Sequence, residues 1–193
     1  WDHPQSHIQL VEDRDTGTFY VTYVYKASKV SANDAWGAVK SWNNGIPVAW
    51  PHDGLQHEKG RDDSVQQMKH YSNAGFKMMA AHATHPPYNK AGVLTSGGNS
   101  VESGIYDIHA LMRSGQFKVF LGCRDFFQEF NQYHRDDKGK IVKTMDDILD
   151  AVRYAYMMRR NSIQKGDILK PTNRSYRPQP LKRMGSQNNV NRN

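Results

Sequence analysis

The apolar positions at the start of the chain alternate with polar ones at a period of two, and the period then changes to about 3.6. HIQLVED (7–13) and FYVTYVYKA (19–27) flank a turn-forming stretch that contains Gly17, which predicts an antiparallel β-hairpin. The spacing in SANDAWGAVKSWN predicts an amphipathic helix over 31–43. A hairpin followed by a helix is therefore expected in the first 43 residues.

Short apolar runs and helical patterns alternate along the chain as far as residue 160. The apolar runs predict buried strands at 46–51, 76–81 and 116–122. The helical spacing predicts helices at 63–75, 101–115, 124–136 and 144–160. Phe127 and Phe130 are expected near one face of the third of these helices. This order predicts an α/β fold whose mixed sheet is flanked by helices, antiparallel early and parallel later.

Two segments lack a regular pattern. The stretch 82–100 is rich in Pro and Gly, and a loop of that length in a compact domain is typically functional or mobile. Residues 161–193 contain three prolines and few apolar side chains, so we expect a flexible C-terminal tail after a domain that spans 1–160.

The formal charge of +7 is distributed unevenly. From residue 159 onward the chain has nine Lys or Arg against one acid, whereas the first 158 residues have 17 basic and 18 acidic side chains. A basic arm of this kind typically meets nucleic acid, an acidic protein surface or no ordered partner at all. Its candidate contact residues are Lys165, Lys170, Arg174, Arg177, Lys182 and Arg183.

Several classes of protein are disfavoured by what the sequence lacks. One cysteine, Cys123, cannot form an intramolecular disulfide and is expected to be a small buried side chain. No apolar run approaches the ~18–20 residues of a membrane span. No GxxxxGK[ST] phosphate loop occurs, so we expect neither an ATPase domain nor ATP hydrolysis in this sequence. The histidine pairs in HATH and HDGLQH lack the spacing of a zinc site.

Three aspartates lie where an apolar segment meets a loop or a helix. Asp2 precedes the first strand, Asp53 follows IPVAWP, and Asp150 lies among apolar neighbours in DDILDAVRYA. Convergent carboxylates are the ligands that Mg²⁺ and Mn²⁺ require, and two ions held by such groups can hydrolyse a phosphodiester. The pattern is compatible with a metal site if the fold brings the three side chains together.

The same acids also have structural interpretations. An Asp after a strand is commonly a turn residue, which suits Asp53. Asp146 and Asp147 suit the first turn of a helix capped by Thr144. We expect Asp150 about two turns into this helix, where the helix dipole has little effect, with Arg153 as the only cation able to neutralise it.

A resemblance to a known family favours the metal-binding interpretation of these aspartates over the structural one. GVLTSGGNSVESGIYDIHALMRSGQFKVF together with DDILDAVRYA resembles the C-terminal nuclease domain of tailed-phage terminase large subunits, above all the headful-packaging terminases of short-tailed Salmonella phages. The likeness covers most of residues 1–160. It implies a ribonuclease-H-like fold and a metal-dependent endonuclease that cuts double-stranded DNA with little sequence preference. It further implies two Mg²⁺ or Mn²⁺ ions held by Asp2, Asp53 and Asp150, with Asp147 as a ligand of second rank.

The resemblance also implies partners: double-stranded DNA, the portal protein, onto which the basic tail would dock, and the small terminase subunit. Action would take place in the host cytoplasm at the procapsid portal, and the isolated domain is expected to be a monomer. Two alternatives stay open. A transposase or integrase uses the same acid triad, and a non-catalytic binding or scaffold domain would use its acids only as structural caps.

Overall fold

The computed structural model describes residues 4–56, 66–86, 93 and 97–164. Its first two strands, β1 (Gln5–Asp13) and β2 (Thr18–Ala27), pair antiparallel as the predicted hairpin. The side chain of Asp13 closes the turn, since its carboxylate accepts hydrogen bonds from the backbone N–H of Asp15 and the hydroxyl of Thr16. Gly17 adopts a φ of 67°, which a glycine tolerates without strain.

Two helices follow the sequence pattern closely. Helix α1 (Ala32–Asn43) begins at a capping box in which the side chains and backbone N–H groups of Ser31 and Asp34 bond reciprocally. Helix α2 (Gln67–Ala74) ends at Gly75, which has a φ of 122° and lies so close to Trp36 that a Cβ would approach its ring to 2.7 Å. Both helix ends therefore have local causes that the sequence contains.

The strands after the hairpin are shorter than predicted, and the described strands form two sheets. Strand β5 (Phe117–Val119) lies parallel to β2, giving the order β1-β2-β5 and confirming the mixed sheet. Strands β3 (Pro47–Val48) and β4 (Lys77–Met78) pair parallel as a separate two-stranded sheet. The apolar runs are longer than the paired strands because apolar residues in the adjoining loops, such as Trp50 and Ala83, are also buried.

The core lies between the three-stranded sheet and the helices α3 (Val101–Arg113), α4 (Arg124–Gln132) and α5 (Asp147–Met157). On α4 the buried residues are Phe126 and Glu129, Phe127 packs partly buried against the core, and Phe130 is 46% exposed. The main cluster of buried side chains comprises Phe19, Val21, Ile108, Phe117, Cys123, Phe126, Ile148, Val152 and Tyr156.

The single cysteine is buried as predicted, and burial raises the pKa of its thiol. Within the described ranges, none of the helices is long and apolar enough to cross a membrane.

Candidate active site

One cleft of about 2520 Å³ is bordered by β1, β3, the residues that follow β3, and α5. Its lining includes Asp53 and the three aspartates at the start of α5, namely Asp146, Asp147 and Asp150. The structure thus places two of the three predicted ligands, Asp53 and Asp150, on the walls of the same cleft. We name it the carboxylate cleft.

Asp53 lies in a 3₁₀ turn, His52–Leu55, directly after the loop that follows β3. This turn is anchored by the buried Trp50, whose indole N–H donates to the carbonyl of Met79 at 2.7 Å. Gly54 packs against the same indole so closely that a Cβ would lie 2.7 Å from it. Asp53 is therefore an exposed turn residue on a rigid support, and its position suits either a turn or a ligand.

Helix α5 begins three residues later than predicted. Met145 has a φ of 54°, Asp146 is the N-cap, and the first helical residue is Asp147. Asp150 consequently lies in the first turn, so the prediction that it sits two turns inside the helix was wrong, as was Thr144 as the cap. At the N-cap and in the first turn the helix dipole favours all three aspartates.

The N-terminus of α5 is capped from another helix. The side chain of Asp146 forms no capping hydrogen bond within the described residues. Instead Glu129, 2% exposed on α4, accepts hydrogen bonds through Oε2 from the backbone N–H groups of Ile148 and Leu149 at 2.7 and 3.2 Å. A carboxylate at this position satisfies two of the free N–H groups and interacts favourably with the dipole.

Lys26, on β2, connects this cap to the cleft. Its ammonium lies 2.6 Å from Glu129 Oε1 and 2.8 Å from Asp147 Oδ2. Burial disfavours the ammonium, but the hydrogen bonds and charges of Asp147 and Glu129 outweigh that cost and raise the pKa of Lys26. For Glu129 the balance is opposite, because burial raises its pKa despite the hydrogen bonds from Lys26, Ile148 and Leu149.

Asp150 is held by Arg153, as the sequence predicted. The Nε and Nη2 groups of this arginine donate to Asp150 Oδ1 at 3.1 and 3.0 Å. Arg153 is 3% exposed, and its guanidinium lies over the ring of Tyr154 at 4.4 Å. Asp150 itself is 25% exposed and faces the cleft.

Burial and the charges of the cleft aspartates raise the pKa of two tyrosines. Burial, followed by the charges of Asp150 and Asp53 among others, raises the pKa of Tyr154. Burial and the charges of Asp150 and Asp146 raise the pKa of Tyr133 to about 12. Because both Asp53 and Asp150 act on the single phenol of Tyr154, the two carboxylates share one electrostatic environment.

Like charge also affects Asp146 at the N-cap of α5. The pKa of Asp146 is raised by burial and then by the charge of Asp150, with Asp147 adding to it, against the opposing effect of Lys143. A cation bound beside these carboxylates would relieve this repulsion.

Several predicted site residues lie outside the described residues. These are Asp2 and the tail residues Lys165, Lys170, Arg174, Arg177, Lys182 and Arg183. The acids that follow Asp53 in the sequence, Glu58, Asp62 and Asp63, also lie outside the described residues. Over the residues the structure does describe, no group of three or more His, Cys, Asp or Glu side chains is arranged to hold a metal ion. The position of Asp2 relative to Asp53 and Asp150 therefore stays a prediction.

The described histidines of the two pairs contact backbone carbonyls or each other. In HATH, the Nε2 atom of His85 contacts the Ser100 carbonyl at 2.8 Å, and Nδ1 of His82 lies 3.3 Å from the Ala83 carbonyl. His52 is exposed beside Asp53, and its ring packs edge-on to that of His82 with centroids 4.9 Å apart.

The Lys26–Glu129 pair was not among the predicted site residues. Lys26 follows Val24 by two positions and so lies on the face of β2 that meets the core. Glu129 follows the buried Phe126 by three, on the inner face of α4. A charged residue at a position that the periodicity places toward the core could have been recognised in the sequence. The spacing does not show which residue pairs with it.

Comparisons with known proteins identify the family of the chain. Residues 1–159 match the family described as Terminase RNaseH-like domain. The chain is 53% identical over 182 residues, 94% of its length, to the terminase large subunit of Salmonella phage P22. It is 57% identical over 159 residues, 82% of its length, to that of Enterobacteria phage LP7. It covers 34% and 31% of these proteins, about a third of their length.

Solved structures give the same result. The structure of the P22 large terminase nuclease domain matches with a TM-score of 0.77 and 56% identity, covering 88% of this chain and 82% of that one. The large terminase of a thermophilic bacteriophage matches with a TM-score of 0.54 at 15% identity, covering 84% and 38%, which supports the fold alone. The predicted resemblance and fold are confirmed: the chain belongs to the terminase RNase H-like domain family and has the α/β fold of its nuclease domains.

Proposed function

We propose that this domain is a metal-dependent endonuclease that cuts double-stranded DNA with little sequence preference and ends a round of headful genome packaging. Family membership supports nuclease activity. The observation that carries the proposal is that Asp53 and Asp150 line one cleft and that, in addition to burial, the charges of both raise the pKa of Tyr154.

The residues of the carboxylate cleft fit a hard divalent cation. Carboxylate oxygens are the preferred ligands of Mg²⁺ and Mn²⁺. Asp53 is exposed, and both hydrogen bonds from Arg153 reach Oδ1 of Asp150, which leaves Oδ2 free of that contact. Asp2 is the proposed third ligand. Asp147 ranks second because its carboxylate is already paired with Lys26.

When bound, two such ions would activate a water for attack and stabilise the departing 3′ oxygen of the phosphodiester. The protein's part is positioning. Arg153 fixes the rotamer of Asp150 from a buried position, and Tyr154 is a neutral phenol beside it, because its pKa is raised further above neutral pH by burial. His52 is the proposed contact to the scissile phosphate because it is exposed next to Asp53.

The proposed macromolecular partners are double-stranded DNA, the portal protein and the small terminase subunit, met in the host cytoplasm at the procapsid portal. The first 158 residues carry 17 basic against 18 acidic side chains, so this part has little net attraction for DNA. We therefore expect low activity from the isolated monomeric domain. The basic tail is the proposed contact to the portal or to DNA.

The test is Mn²⁺-dependent nicking of supercoiled plasmid by Asp53→Asn and Asp150→Asn. Asp137→Asn is the matched control, because Asp137 is an exposed turn residue that does not line the cleft. We expect both cleft variants to lose activity by roughly 100-fold or more, since substituting even the outer-shell partners of metal ligands costs 10–100-fold. The control should retain activity, and both the control and Asp53→Asn should keep the wild-type thermal melting curve. Asp150→Asn leaves the buried Arg153 without its ion pair, so its activity is compared at a temperature well below its own melting transition.

A non-catalytic role has one observation in its favour. The acids of α5 already have structural explanations in the helix dipole, Lys26 and Arg153. If Asp53→Asn and Asp150→Asn nick plasmid as well as the wild type does, the acids are structural and the proposed function fails. A transposase or integrase has no such support, since the comparisons place the chain with terminases.

A further inference from the structure

The start of α5 collects more negative charge than a helix cap needs. Glu129 bonds the free backbone N–H groups, and Asp146 at the N-cap is followed by Asp147 and Asp150 in the first turn. Two cations with side chains mostly buried, Lys26 and Arg153, pair with these acids. Arg153 comes from α5 itself, whereas Lys26 comes from β2 and reaches the helix from the sheet.

The ammonium of Lys26 contacts two carboxylates, one in a structural position and one in the cleft. Glu129 is 2% exposed and faces the core, while Asp147 is 30% exposed and lines the carboxylate cleft. The bond to Glu129 holds the lysine in place, because a carboxylate buried at that depth needs a charged partner. The second bond then fixes Asp147 at 2.8 Å from the same ammonium.

We infer that Lys26 is a positioning residue that restrains the proposed metal site: its ammonium occupies Asp147 and lowers the affinity of the cleft for a divalent cation. Glu129 in turn holds Lys26 in this position. The inference rests on the proposed function, since it concerns the same site. It makes Asp147 a reserve ligand that becomes available only when Lys26 releases it.

A purely structural role predicts a different result. If Lys26 served only to neutralise Glu129, its removal would loosen the start of α5, and metal binding would weaken or stay unchanged. If Lys26 restrains the site, its removal leaves Asp147 unpaired and metal binding becomes tighter. The sign of the change in affinity separates the two roles.

The experiment is calorimetric titration of the full chain with MnCl₂ at low ionic strength, where charge effects are least screened. In Lys26→Met, loss of one positive charge beside the cleft should tighten Mn²⁺ binding about tenfold. In Lys26→Met/Glu129→Gln the buried pair becomes neutral, which proteins tolerate well, and unpaired Asp147 should still tighten binding, about threefold. This second variant keeps the test valid if the first does not fold.

Three controls complete the design. Lys40→Met makes the same change at an exposed position on α1 and should leave the affinity unchanged. Adding Asp147→Asn to the double variant should remove the gain. Asp150→Asn should bind Mn²⁺ far more weakly than the wild type.

The outcomes are distinguishable. If the Lys26 variants bind Mn²⁺ no tighter than the wild type while Asp150→Asn loses binding, the restraint is refuted and the proposed function stands. If Asp150→Asn binds like the wild type, the metal site itself fails, and the inference fails with it.

Discussion

Gly104 on α3 offers a steric test of how the buried arginine supports Asp150. A Cβ at this position would lie 2.7 Å from Cγ and 2.9 Å from Cδ of Arg153. These atoms are in the middle of the side chain, which is 3% exposed and tied to Asp150 by two hydrogen bonds. Carbon atoms pack at about 3.5–4.0 Å, so Gly104→Ala must displace the arginine by roughly 1 Å.

The magnitude follows from two opposing effects. Overpacking of this size costs about 1–3 kcal/mol, and a displacement of roughly 1 Å would also stretch the bonds to Asp150 beyond hydrogen-bonding distance. Replacing a helical glycine by alanine returns about 1 kcal/mol in helix propensity. We expect Gly104→Ala to lower the unfolding free energy by about 1–2 kcal/mol, or Tm by about 3–6 °C for a chain of this size.

Gly37 on α1 provides the matched control, because a Cβ there meets no atom within 4 Å. Gly37→Ala should raise the unfolding free energy by about 0.5–1 kcal/mol through helix propensity alone. Urea unfolding of both variants, with unchanged slopes, measures the difference. Equal stabilisation of the two variants would refute the clash and the claim that Arg153 is held rigidly.

Three further predictions concern titration and surface charge. Burial lowers the pKa of His7 to about 4, so the folded protein binds fewer protons than the unfolded chain between pH 6.5 and 4. Unfolding free energy should therefore drop by about 3 kcal/mol as pH falls through that range. In His7→Phe, urea unfolding should show no such drop, and an unchanged acid slope would contradict the assignment. The pKa of Tyr133, raised to about 12 by burial and by Asp150, means that the folded state binds more protons between pH 10 and 12 and loses stability there. Urea unfolding of Tyr133→Phe from pH 9 to 12 should show a flatter curve, and a wild-type slope would exclude this tyrosine as the cause. The Arg135–Glu102 pair is bidentate but exposed, so Arg135→Ala should leave Tm unchanged in calorimetry, and a clear drop would show that exposed pairs matter here.

Elements with local causes were predictable from the sequence. The β1–β2 hairpin follows from alternation and a turn whose Asp13 side chain closes it. Helix α1 begins at a capping box of Ser31 and Asp34, residues three apart in the chain. In these cases the groups that satisfy the backbone lie within a few positions of it, so the pattern contains the answer.

Elements with distant causes were not predictable. Strands β3 and β4 are two residues long because a strand ends where its backbone pairing ends, even if the apolar run continues. The spacing of apolar residues does not show where that pairing ends. The start of α5 was misplaced for a related reason. Its cap is Glu129, separated from the helix by a loop, and its entry uses a positive φ at Met145 that is not a glycine. Tertiary contacts override the local preference for Thr144.

The three aspartates of α5 show why composition alone could not decide the site. An aspartate at a helix N-terminus is stabilised by the helix dipole whether or not it also binds a metal ion. The position of these three residues therefore does not separate a structural role from a metal-binding role. The atoms that each carboxylate already contacts are more informative than its position. Asp147 forms an ion pair with Lys26, and Asp150 accepts a hydrogen bond from Arg153 through Oδ1. The charges of Asp150 and Asp53 both raise the pKa of Tyr154. Asp150 is thus held by a buried cation, and the cleft that it lines also contains Asp53, a carboxylate from another part of the chain. A helix cap requires no such second carboxylate, and for this reason Asp150, rather than Asp146 or Asp147, is the acid of α5 on which cleavage should depend most.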